Sequence, residues 1–125
     1  MKKYQKLTIQ KCEDIQKFLG LTEYTIEYDW ENNEGLDGHP AGSSFDYKYL
    51  VISFQFAKEF EDDIEDFGNG WLTQTLIHEF CHFFTYLFDE PLKKHLGKRE
   101  YKLYDERDEQ MVERLSKIML INYLK

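Results

Sequence analysis

Apolar residues recur along this chain with two different periods, and the changes between them mark out its elements. Ile9, Cys12, Ile15, Phe18 and Leu19 fall on one helical stripe. Thr8 is placed to cap that stripe and Gly20 to end it, so the spacing predicts a first helix between them. From Glu23 to Trp30 the period drops to two. Tyr24, Ile26, Tyr28 and Trp30 share one face and Thr25, Glu27 and Asp29 the other, the pattern of a half-buried strand. Residues 31–42, rich in Asn, Gly and Asp and containing Pro40, read as loop. The β-formers Phe45, Tyr47, Tyr49, Val51, Ile52, Phe54 and Phe56 predict two strands, roughly 42–47 and 50–55, meeting near Lys48. One long strand is the alternative. Ala57, Phe60, Ile64 and Phe67 then return to helical spacing among a run of Asp and Glu, a short surface helix with a solvated acidic face.

Asn69-Gly70 opens the longest apolar stretch, which runs to Phe88 and carries no acidic or basic residue after Trp71 except Glu79 and two histidines. A helix apolar nearly all round is a buried one. Asp89-Glu90-Pro91 is expected to break it, followed by a basic link over 92–100 that holds His95. A last helix is predicted from about Lys102 to Tyr123, with Met111, Val112, Leu115, Ile118, Met119 and Asn122 along its inner side. The expected architecture is α+β, one domain over 1–125: an N-terminal helix, a small and mostly antiparallel sheet, a central helix and a C-terminal helix.

The centre of the apolar helix reads His78-Glu79-x-x-His82. Four residues apart on a helix, the two imidazoles project from one face one turn apart and can reach a single metal ion. Glu79, about 100° round from His78, can reach an activated water without holding the metal itself. Neutral imidazoles to hold Zn²⁺ and a carboxylate to take a proton from water are what a hydrolytic zinc site needs. The pattern is expected by chance on the order of 0.01 times in a shuffled chain of this composition, so the bare motif is a moderate signal. Its setting strengthens it, because a Glu and two His in an apolar helix are costly to bury without partners. The alternative is a pair of hydrogen-bonded core histidines with a salt-bridged glutamate.

Two histidines are one ligand short of a hydrolytic zinc site. The C-terminal helix offers Asp105, Glu106, Asp108, Glu109 and Glu113. With Met111 as zero, Asp108 and Glu109 straddle the line through Val112 and Ser116, whereas Glu106 and Glu113 point further from the apolar centre. Helical geometry slightly favours Asp108; Glu109 has the longer reach. His95 is a third possibility. At this point the chain resembles the minimal zincin metallopeptidases of bacterial and phage genomes, the ImmA/IrrE-type peptidases among them. There a helix carries His-Glu-x-x-His, and a later helix supplies a glutamate followed by small or apolar residues three, six and seven positions on. Glu109 is followed in that way by Val112, Leu115 and Ser116, and Asp108 fits less well. The resemblance implies Zn²⁺ held by His78, His82 and Glu109, with Glu79 as general base, peptide-bond hydrolysis as the activity, and a sheet edge, here 42–47, that pairs with an extended substrate. It covers roughly 23–120 in order of elements, and only the central motif is specific. The longer metzincin motif is not met, since Thr85 and Phe88 stand where it wants Gly and His, and no helix-turn-helix accompanies the site.

Charge and cysteines narrow the setting. Sixteen Lys and Arg against 24 Asp and Glu give −8, with no basic run, which argues against nucleic acid or an anionic membrane as partner. A peptide or protein substrate is the expected partner. Cys12 and Cys81 read as buried, reduced thiols of a cytoplasmic protein. No apolar stretch of signal-peptide kind follows Met1-Lys2-Lys3, and no pro-segment is visible. Tyr86, Tyr101 and Tyr104 are the expected candidates for a second donor to the oxyanion. The rival reading is a zincin-derived binding or regulatory module that keeps its metal for stability; retention of Glu79 argues against it, because structure needs ligands but not a base. Hydrolysis of a non-peptide amide by the same site is a third reading.

Overall fold

Seven elements follow one another in the computed structural model, which describes residues 2–93 and 95–125, with 88–93 as backbone only. They are α1 (Lys3–Phe18), β1 (Thr25–Asp29), β2 (Ala41–Asp46), β3 (Val51–Phe56), α2 (Phe60–Phe67), α3 (Asn69–Lys93) and α4 (Lys98–Tyr123). The architecture is α+β, and the hairpin of β2 and β3 turns where the sequence places it. Three helix ends differ from expectation. Thr8 is not a cap: α1 starts at Lys3, and the buried Thr8 hydroxyl donates to the Tyr4 carbonyl oxygen at 2.6 Å inside the helix. Tyr4 and Leu7, packed against the core, carry the apolar stripe back by one turn. Pro91 does not break α3, which continues to Lys93; proline's fixed φ is helical, and so near the end it removes a single ladder bond. At the start of α4, the Gly97 N–H donates to Glu100 Oε2 at 3.1 Å, which satisfies a free donor and lets the helix begin four residues early.

The sheet is mixed rather than mostly antiparallel. Its order is β1-β3-β2, with β1 parallel and β2 antiparallel to β3. β3 therefore sits in the middle and turns Ile52, Phe54 and Phe56 into the core. β1 and β2 are consecutive in the chain but flank β3, so the connection between them has to cross the end of β3. It does so over residues 30–40. The Asn32 N–H donates to the Phe56 carbonyl at 3.0 Å and the Ala57 N–H to the Pro40 carbonyl at 3.0 Å. Gln55 Nε2 donates to the carbonyls of Asn32 and Glu34 at 2.9 and 2.6 Å. Leu36 is buried against the start of β2, where a Cβ on Gly42 would lie 2.8 Å from Leu36 Cδ2; glycine at that position admits the loop.

α3 is the element all the others cover. Leu72, Leu76, Ile77, Phe80 and Cys81 are at most 1 % exposed. Burying each large apolar side chain of this kind contributes about 1.5–3 kcal/mol. Phe80 meets Phe54 of the sheet edge to face at 5.0 Å, and Trp71 meets Phe60 of α2 at 5.4 Å. α4 lies on α3 through Asp108, Val112 and Ser116. Met111 and Ile118, expected inside, are 59 % and 58 % exposed. The apolar residues of α4 occupy two faces, and the face with the smaller side chains packs closest to α3. Among the described residues no helix is long and apolar enough to cross a membrane.

Cys12 and Cys81 are unpaired and fully buried, and burial raises both thiols, Cys81 to about 12. The thiolate is the reactive form. Neither cysteine should react with a thiol reagent in the native protein at pH 8, and both should react once denaturant is added; labelling of either within minutes in the native state would contradict this packing.

Candidate metal centre

α3 brings its two histidines and a carboxylate to one spot because the i, i+1, i+4 spacing leaves them on adjoining faces. One ligand atom from each of His78, Glu79 and His82 lies within 4.8 Å of the others. His82 and Glu79 are buried and His78 is half-buried. The His82 ring stacks on Tyr86, centroids 4.9 Å apart, so the aromatic ring one turn on fixes its plane.

α4 faces this group with carboxylates. Glu109 places Oε2 4.0 Å from His78 Nε2 and Oε1 3.6 Å from His82 Nε2. These separations exceed a hydrogen bond. They suit atoms that share an ion, since ligands about 2 Å from a tetrahedral metal stand roughly 3.4 Å apart. The donor set of two imidazoles and a carboxylate is that of known catalytic zinc sites. Asp108, which helical geometry slightly favoured, lies on the buried side of α4 and does not line the cleft described below. His95 is exposed on the turn before α4, also outside the cleft.

Glu113 is a residue the sequence reading placed away from the site. Its Oε1 lies 2.9 Å from His78 Nδ1. A carboxylate accepting from Nδ1–H fixes the tautomer that leaves Nε2 unprotonated, and Nε2 is the atom turned to Glu109. The i, i+4 spacing from Glu109 to Glu113 was available as a signal. Centring the inner face between Met111 and Val112 turns Glu113 about 160° away and hides that signal.

Glu79 is held from the opposite side by the sheet. Ser43 Oγ, on β2, stands 2.8 Å from Glu79 Oε1 and 3.2 Å from the Glu79 carbonyl oxygen. Burial pushes the Glu79 carboxyl up to about 7, with the Glu109 charge adding to the rise and the Ser43 hydrogen bond opposing it. Tyr47, just past β2, donates from its hydroxyl to the Phe83 carbonyl at 2.6 Å, a second tie between this edge of the sheet and α3. The group opens into a cleft of about 620 Å³ between α4 on one side and β2 with the 30–40 loop on the other. Of the three tyrosines considered for the oxyanion, Tyr86 lines this cleft and Tyr101 and Tyr104 do not. His39, carried by the crossing loop, lines it as well; nothing local in the sequence marks that residue.

The chain matches no protein-family model, no curated protein and no solved structure. The His-Glu-x-x-His arrangement is thus a group able to bind a metal on the strength of its own geometry.

Two measurements test this geometry. Glu113→Gln should keep the fold and lower affinity for Zn²⁺ roughly 10–100-fold, read by chelator competition; unchanged affinity would remove Glu113 from the site. In metal-free protein the folded state disfavours Glu79 ionisation, so stability from this residue is present below its ordinary 4.5 and lost as pH rises towards about 7. Metal-free Glu79→Gln should therefore gain in melting temperature over metal-free wild type as pH goes from 5 to 8. A gap independent of pH would contradict the burial of that carboxylate.

Proposed function

We propose that this chain is a zinc-dependent metallopeptidase of zincin type, acting on peptide or protein substrates. The observation that carries the reading is the division of carboxylates around two histidines. Glu109 stands opposite both Nε2 atoms, while Glu79 sits beside them in the core, held by Ser43. His78, His82 and Glu109 would hold the ion, with Glu113 orienting His78. Zinc bound there supplies Lewis acidity toward water and toward a carbonyl oxygen. Glu79 takes a proton from the attacking water and delivers it to the leaving amine as the C–N bond breaks, so the carboxylate ends as it began. A bound cation favours its ionised form, the one that accepts a proton. Burial keeps the Tyr86 phenol protonated and able to donate to developing negative charge.

Among the described residues β2 has a neighbour on one side only, and Ala41, Gly42 and Ser43 line the cleft. Its outer edge can accept an extended peptide as a further strand and carry it past Glu79. A purely structural metal site has no use for a buried, serine-held carboxylate beside its ligands, which sets the enzyme reading above a stability-only role. A cytoplasmic location accords with the two reduced thiols.

Purified protein should hold about one equivalent of zinc, and His78→Ala or His82→Ala should lose it together with part of the stability that binding adds. No zinc retained after loading and dialysis would end the proposal. Glu79→Gln should keep the metal and lose about 10²–10⁴-fold in peptide turnover; loss of the metal instead would make Glu79 a ligand. Glu109→Ala should weaken zinc binding far more than Asp108→Ala, whereas a silent Glu109→Ala with complete loss from His95→Ala would move the site to three histidines.

A further inference from the structure

The cleft differs at its two ends. Around Tyr86 it is anionic: Asp105 and Glu109 line it there, and both charges bear on the Tyr86 hydroxyl. Toward the first turns of α3 the wall is Trp71, Thr75, Leu36, Pro40 and Ala41, with Gln74 exposed among them and Glu113 lining the cleft between this wall and Glu109, turned to His78. Trp71, Gln74, Thr75 and His78 share the cleft face of α3 because they stand seven, four and three residues before the first histidine. Trp71 is half-buried, its indole packed on Phe60 at 5.4 Å and Phe67 at 5.8 Å. The ring is thus held from behind while part of it faces the cleft. Across from it, Leu36 is seated on Gly42 and the Pro40 carbonyl is tied to the Ala57 N–H, so this wall too is set in advance of any ligand.

We propose that this end of the cleft is a subsite for one bulky apolar side chain of the substrate, aromatic or large aliphatic, with Trp71 as the specificity-determining residue. The inference rests on the peptidase reading above. Distance sets the position. Two helical turns place Trp71 about 10 Å along α3 from His78, and an extended peptide advances about 3.3 Å per residue. The recognised side chain therefore lies within three residues of the scissile bond, on one side of it. A fixed indole offers apolar area and edge or face contacts at little conformational cost. The carboxylates at the Tyr86 end offer nothing of that kind.

The test profiles cleavage of a proteome-derived peptide library by the zinc-loaded protein, with cut sites read by mass spectrometry. Phe, Tyr, Trp, Leu and Met should be enriched at one position within three residues of the bond. A matched peptide pair with Phe or Gly at that position should differ about tenfold or more in kcat/KM. Trp71→Ala should bring that ratio to within about twofold. Trp71→Leu, which keeps apolar packing on Phe60, should shift the preference from aromatic to aliphatic. Ratios are insensitive to a partial loss of folded protein. A second arm needs no turnover: zinc-loaded Glu79→Gln in a Trp30→Phe background should bind the Phe peptide more tightly than the Gly peptide, reported by Trp71 fluorescence. Cleavage without apolar preference, or a Phe-to-Gly ratio that survives in Trp71→Ala, overturns the subsite and leaves the peptidase reading standing. No cleavage by wild type and no peptide bound by Glu79→Gln overturns the peptidase reading, and the subsite with it.

Discussion

The burial of a carboxylate inside the most apolar helix of the chain is the constraint on which this structure depends. α3 has to be covered on nearly every side, and the sheet, α1, α2 and α4 each take a sector of it. Glu79 cannot be covered by apolar atoms alone, since an unpartnered buried acid costs several kcal/mol or gives up its charge. The sheet answers with the Ser43 hydroxyl, and the remaining space beside Glu79 is left as a cleft into which α4 turns Glu109 and Glu113. Covering α3 and building the polar group are one packing problem, solved by placing a small-residue face of α4, Val112 and Ser116, against the helix.

The sheet contributes to the site through its order as much as its residues. With β3 in the centre, the step from β1 to β2 crosses the end of β3, and the crossing loop becomes the upper wall of the cleft. Its four left-handed positions between Glu31 and Gly38 and its ties to Phe56, Ala57 and Gln55 make a defined surface of what the composition suggests is only a linker. Gly42 lets Leu36 settle on the strand, and His39 and Pro40 follow it to the rim. The same order leaves β2 as an edge lying beside Glu79.

Much of this was legible in the sequence, for local reasons. Periods of 2 and 3.6 arise within single elements, so Tyr24 to Trp30 reads as a strand and Leu72 to Phe83 as a buried helix before any contact is known. The His78, Glu79, His82 group is legible for the same reason: a helix by itself puts those three side chains on adjoining faces. Helix ends were less legible, because Tyr4 extends α1 and Pro91 fails to end α3 through circumstances that local caps and breakers do not register.

Tertiary structure decided whatever depends on how one element is turned toward another. Whether Asp108 or Glu109 meets the histidines is a rotation of α4 of about 100°, and a helix with apolar residues on two faces does not declare which is inside. Met111 and Ile118 are as hydrophobic as Val112 and Leu115, yet the fit of small side chains on α3 turned the larger ones outward. The pairing of Glu113 with His78, the hold of Ser43 on Glu79, and the arrival of His39 opposite them depend on strand order and interhelical packing. Those are relations between distant stretches of chain. The sequence by itself determined which residues can do the chemistry; only the packing of α4 and the crossing of β3 decided which of them stand together.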